Sequence, residues 1–103
     1  MMDSEDVVRI VLENLGDMRR KYGVKRIGLF GSYTRNEQKE SSDVDFVVEF
    51  EEGKATLDNF MDLASFLEEL LGKKVDLLTV EGLRSIRIEE VKRSIEESVT
   101  YVS

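Results

Sequence analysis

The 103-residue sequence contains no cysteine and no histidine. Without cysteine there is neither a disulfide framework nor a thiol nucleophile. Without histidine a Ser-His-Asp relay is excluded, and the loss of both residue types removes the usual zinc ligands. Proline is missing too, while Glu, Lys and Arg abound; charge enrichment of this kind is a feature of heat-adapted proteins. No apolar run approaches the roughly 20 residues of a membrane span. The opening "MMDSEDVV" is acidic and unlike a signal peptide. These absences lead us to expect a soluble, cytoplasmic protein, read as one domain over residues 1–103. A chain of this size buries roughly 60–70% of its unfolded surface, enough for one modest core.

The charge is one-sided. Fifteen Lys and Arg face 22 Asp and Glu, a formal net charge of −7. Proteins that coat a nucleic acid neutralise its phosphates with clustered basic side chains, so this balance argues against such a partner. It leaves room for a small phosphorylated ligand that arrives with a metal ion.

The hydrophobic pattern divides the chain into alternating elements. "SEDVVRIVLENLGDMRRKYG" predicts a first helix with Val8, Val11, Leu12, Leu15, Met18 and Tyr22 on its buried stripe. Asp3 or Ser4 can cap its start and Gly23 can end it. "VKRIGLF" predicts a strand with Ile27 and Leu29 on one face. "GSYTRNEQKESS" is a polar connection that can open with a helical turn, and "DVDFVVEF" is a second strand followed by the acidic turn "EEGK". "TLDNFMDLASFLEELLG" predicts a second helix with Leu57, Phe60, Met61, Ala64, Leu67, Leu70 and Leu71 inward and Gly72 at its end. "KVDLLTV" is a third strand, "SIRIEEVKRSIEE" a third helix, and "VTYV" a short last strand. A strand, helix, strand succession predicts a right-handed parallel crossover. The expected class is α/β (α+β), a mixed sheet of three to four strands with helices mainly on one face.

The second strand carries an oddity. Alternation puts Asp43, Asp45, Val47 and Glu49 on one face and Val44, Phe46, Val48 and Phe50 on the other. Asp43 and Asp45 then stand roughly 6–7 Å apart, close enough to converge on one site. Asp76 opens the third strand. If the second and third strands are parallel neighbours, and the first is antiparallel to the second, all three acids meet the Gly31-Ser32 turn at one end of the sheet. Three clustered carboxylates repel unless a cation compensates. Hard oxygen ligands suit Mg²⁺ or Mn²⁺. Gly31 permits close approach to a phosphate, and Ser32 offers backbone and hydroxyl donors. Taken singly, a Gly-Ser turn, a D-x-D strand start, Asp76 and Arg35 are ordinary surface features. Their joint arrangement leaves a metal site and solvated strand ends both open.

The joint pattern is Gly-Ser, ten residues, Asp-x-Asp, and a later strand Asp. It resembles the signature of the polymerase-β-like nucleotidyltransferase superfamily. More narrowly, the chain is similar to the minimal nucleotidyltransferases, which are often paired with HEPN-domain toxins. The likeness spans the leading helix, "GLFGSYTR", "SSDVDFVVEF", the Leu-rich helix, "KKVDLLT" and "IEESVTYV". The resemblance implies that Asp43 and Asp45 hold two metal ions, Mg²⁺ or Mn²⁺, and that Asp76 completes the site and helps activate the acceptor oxygen. It implies that Gly31, Ser32 and Arg35 hold the triphosphate of ATP. Asn36 follows Arg35 where many relatives carry Gly. The implied activity is transfer of AMP from ATP to a hydroxyl of a partner protein, with a HEPN toxin as partner in a hetero-oligomer and this chain as antitoxin. Two alternatives stand beside it. One is an antitoxin that acts by binding alone. The other is nucleotidyl transfer to RNA or a small molecule, which the acidic balance and the short chain disfavour.

Overall fold

A computed structural model describes residues 2–33 and 43–102. The first element, helix α1 (Ser4–Tyr22), is fixed at both ends by local chemistry. Asp3 and Asp6 form a reciprocal capping box: the Asp6 N–H donates to Asp3 Oδ1 at 2.9 Å, and the Asp3 N–H donates to Asp6 Oδ2 at 3.2 Å. At the other end Gly23 takes the left-handed conformation and its N–H donates to the carbonyl of Arg19. Strand β1 (Val24–Phe30) then runs into a 3₁₀ turn at Gly31–Tyr33. Strand β2 (Val44–Phe50) follows, with Asp43 one residue before its start. Helix α2 (Leu57–Leu71) is capped by Thr56 and closed by Gly72, and leads into strand β3 (Val75–Thr79). Two further helices, α3 (Val80–Arg84) and α4 (Glu89–Ser98), precede a two-residue strand β4 (Thr100–Tyr101).

The four strands form one mixed sheet in the order β3-β2-β1-β4. β1 is antiparallel to β2 and to β4, while β2 and β3 are parallel, joined by the α2 crossover. The two long helices cover one face, as the pattern predicts. Val7, Val11, Leu15 and Met18 of α1 and Leu63, Leu67 and Leu71 of α2 pack on Ile27, Leu29, Val44, Phe46, Val48 and Phe50. Leu67 is wholly buried; its replacement by Ala would cost about 2–5 kcal/mol through lost transfer energy and a residual cavity. The opposite face holds a smaller cluster, in which Val47 packs with Val80 and Leu83 of α3 and with Ile95 and Val99. Among the described residues no helix is long and apolar enough to cross a membrane.

Several details depart from the pattern-based expectation. Helix α1 turns Val7 inward, and Leu12 is left 49% exposed. Helix α2 buries Leu63, leaving Leu57 and Met61 at 72% and 58% exposure. In both helices the apolar arc is wider than the contact it makes, so tertiary packing selects the face. The third strand stops at Thr79 rather than Val80. Thr79 Oγ1 accepts a hydrogen bond from the Gly82 N–H at 2.9 Å, and this cap starts α3, which the sequence pattern did not predict. The helix expected from Ser85 begins instead at Glu89.

Candidate active site

The site is built from backbone register. Phe30 at the end of β1 lies opposite Asp45, and Asp45 lies beside Asp76 on β3. Adjacent strands are about 4.8 Å apart, and register partners in a parallel pair project to the same face. Asp45 and Asp76 therefore share one patch. Val44 pairs with Val75, and the Val44 N–H donates to the Lys74 carbonyl at 3.0 Å, so the starts of the two strands are locked together. Asp43 directly precedes this pair and is half-buried, as is Asp45; Asp76 is exposed. Both topological conditions set by the sequence are met: parallel β2 and β3, and a first strand that delivers Gly31-Ser32 to the same sheet end.

The turn after β1 has two anchors. Gly31 has φ 78°, a left-handed value that redirects the chain as it leaves the sheet. Two residues later, Tyr33 is wholly buried in the main core among residues of α1 and the sheet. Ser32 lies between them, held in the 3₁₀ turn. Tyr33 did not enter the expected site, although an aromatic residue in an otherwise polar connection was a signal of anchoring. Its hydroxyl is buried with no hydrogen-bond partner among the described residues. Arg35 and Asn36 lie outside the described residues.

Register brings the acids to one end of the sheet without packing them into a cage. Among the described residues, no group of three or more Asp, Glu, His or Cys side chains stands close enough to hold a metal ion. Nevertheless the donor chemistry fits a hard cation. The chain has no His or Cys to offer; what it presents here is carboxylate oxygen, beside a turn with backbone N–H groups. Mg²⁺ is commonly bound by one or two carboxylates with substrate phosphates completing its shell.

The same face changes character farther down β2. Glu49 accepts a hydrogen bond from Arg26 Nε at 2.8 Å, and Lys25 Nζ lies 4.0 Å from its other oxygen. The Arg26 guanidinium in turn covers the Tyr101 ring at 4.2 Å. Gly28 makes room for this layer, because a Cβ there would meet Tyr101 and Val99 at 3.0 Å.

Comparison with known proteins follows the same lines. The nucleotidyltransferase domain family matches residues 11–102. A Methanocaldococcus jannaschii protein, provisionally named a protein adenylyltransferase, is 42% identical over 103 residues, covering 99% of this chain and 100% of its own. The protein adenylyltransferase MntA of Thermococcus cleftensis is 39% identical over 102 residues, 99% of this chain and 98% of that one. A solved structure provisionally named a minimal nucleotidyltransferase is similar with a TM-score of 0.72 at 32% identity, covering 96% of this chain and 95% of that chain. A solved complex of a tri-AMPylated Shewanella oneidensis HEPN toxin with an MNT antitoxin shares the fold at a TM-score of 0.63 and 20% identity, with 97% and 71% covered.

Proposed function

Since the chain belongs to the nucleotidyltransferase domain family, we propose that it transfers AMP from ATP to a hydroxyl of a partner protein, and that the partner is a HEPN-type toxin it restrains as an antitoxin. The observation that carries this reading is the register of Asp45 beside Asp76 at the sheet end where Gly31-Ser32 emerges. The relatives named protein adenylyltransferases support the reaction. The AMPylated toxin bound to an antitoxin of this fold supports the partner and a hetero-oligomer with it. Use of ATP as donor supports a cytoplasmic setting.

In this reading Asp43, Asp45 and Asp76 hold two divalent cations, Mg²⁺ or Mn²⁺. Such ions, when bound, offset the charge that develops on the transferring and leaving phosphates. The chain's own residues do the rest. Gly31 and Ser32 bind the triphosphate through backbone N–H groups of the turn and the Ser32 hydroxyl, and Arg35 adds a positive charge to the phosphates. Asp76, the most exposed of the three acids, receives the proton of the acceptor hydroxyl. A tyrosine acceptor has a pKa of about 10 and is protonated at neutral pH, so it needs such a base.

Co-expression with the toxin tests the reading through the partner's intact mass and cell growth. Wild type should add AMP and restore growth. Asp76→Asn should lower the transfer rate by about 10²–10⁴-fold, the usual contribution of a positioned base. Ser32→Ala and Arg35→Ala should weaken transfer while leaving partner binding nearly intact. If wild type adds no AMP and Asp76→Asn still restores growth, the chain acts by binding alone.

A further inference from the structure

We propose that Gly31 is the positioning residue of the Asp45 carboxylate: that carboxylate rests in the space which a side chain at position 31 would fill. The inference rests on the proposed role of Asp45 in holding a divalent cation. A Cβ built on Gly31 would lie 2.2 Å from Asp45 Oδ2, 3.1 Å from its Cγ and 3.3 Å from its Cβ. The first distance is far inside van der Waals contact, so residue 31 and the Asp45 carboxylate cannot both keep their places unless residue 31 is glycine.

The other left-handed glycines separate this demand from simple backbone geometry. Gly53 has the same φ of 78°, and Gly72 has 65°, yet a Cβ at either would meet nothing within 4 Å. There, Asn could replace Gly at modest cost. At Gly23 a Cβ would meet Lys54 Cβ at 2.4 Å, an atom fixed by its own backbone, so that glycine answers a close approach of two chain segments and touches no acid. At Gly31 the atom met is the Asp45 carboxylate oxygen itself, so relief would turn the carboxylate out of its place, the Asp45 backbone being held. Asp45 sits on β2, paired with Phe30 on one side and Asp76 on the other. The turn cannot retreat either, because Tyr33 is buried two residues on. Two residues of the turn thus divide the work: Gly31 seats the carboxylate, and Tyr33 fixes the turn to the core. The glycine therefore serves the protein's own carboxylate as well as an approaching phosphate. It couples the triphosphate turn to the metal-binding acid.

A double-mutant cycle in the unliganded protein reads the contact, and Mn²⁺ titration with a nonhydrolysable ATP analogue reads its consequence. Gly53→Ala supplies the cost of a left-handed φ alone. Gly31→Ala should lower the folding equilibrium constant at least about tenfold more in the Asp45 background than in Asp45→Ala, a coupling typical of residues in direct contact. In the Asp45→Ala background its cost should fall to that of Gly53→Ala. With both carboxylates of the D-x-D pair present, Gly31→Ala should still weaken Mn²⁺ binding by about 10–100-fold, as loss of a ligand-orienting partner does, while Gly53→Ala leaves it unchanged. Should Gly31→Ala alone fail to fold, recovery of folding in Gly31→Ala/Asp45→Ala upholds the seat, and continued failure overturns it. Equal cost of Gly31→Ala in both backgrounds, or undiminished Mn²⁺ affinity in the folded variant, overturns it also. Coupling without any Mn²⁺ binding by wild type would uphold the seat and sink the metal-site reading, so the two failures are distinct.

Discussion

At the Phe50 end of β2, Glu49 is met by the Arg26 guanidinium at 2.8 Å and by Lys25 at 4.0 Å. Four residues away on the same strand and the same face, Asp45 is in register with another acid, Asp76, and a third, Asp43, directly precedes the strand. Between the two ends Val47 is wholly buried under α3. The strand thus carries carboxylates in two settings separated by an apolar layer. An acid answered by bases is part of the frame: its charge is offset, and it orders the Arg26–Tyr101 stack. An acid in register with another acid at a strand start is placed where a cation could draw on both.

Stability measurements should split the two ends in opposite directions. Glu49→Gln removes a charged partner from Arg26 in a partly exposed setting and should lower unfolding free energy by about 0.5–1.5 kcal/mol. Asp45→Asn keeps the shape but relieves like-charge repulsion, so the unliganded protein should be as stable as wild type or more so. Urea denaturation of both variants checks this. A clear loss of stability in Asp45→Asn would make Asp45 a strut like Glu49 and remove the contrast.

A smaller effect distinguishes a third kind of carboxylate, the helix cap. The Asp3 backbone N–H holds the exposed Asp6 carboxyl below its ordinary value of 3.8, with Arg9 assisting. A depressed folded-state value means that the unfolded chain binds the proton more tightly. The cap's stabilisation is therefore present above about pH 4 and is lost as pH falls through the lower folded value. Asp6→Asn should flatten the acid side of the stability profile between about pH 5 and 3. Denaturation across that range checks it, and an unchanged acid slope would place the pH response elsewhere.

Much of this contrast was legible in the sequence because it depends on parity and register. Alternation along "DVDFVVEF" put Asp45 and Glu49 on one face, and the strand, helix, strand order made β2 and β3 parallel, which brought Asp76 alongside. Caps were legible for the same reason: Asp3, Gly23 and Gly72 act through neighbours three or four residues away. What escaped depends on contacts distant in sequence. The pairing of Arg26 with Glu49 spans 23 residues and follows from hairpin register that no local pattern fixes. The inward turn of Val7 and Leu63 reflects which part of a broad apolar arc meets the sheet. Helix α3 was hidden because Gly82 looks like a breaker, whereas its N–H is the group that Thr79 caps. The seat beneath Asp45 needed coordinates, since a glycine in a Gly-Ser turn carries no sign of what occupies the space beside it.

On this view β2 has one end for chemistry and one for structure. Calorimetric titration of Mn²⁺ in the presence of a nonhydrolysable ATP analogue, run in parallel on wild type, Asp43→Asn/Asp45→Asn and Glu49→Gln, tests it most directly. Wild type should bind, the double aspartate variant should lose binding, and Glu49→Gln should keep an affinity within about threefold of wild type, since a partly exposed ion pair remote from the site shifts binding little. Equal binding by wild type and the double aspartate variant, or no binding by wild type, would contradict it.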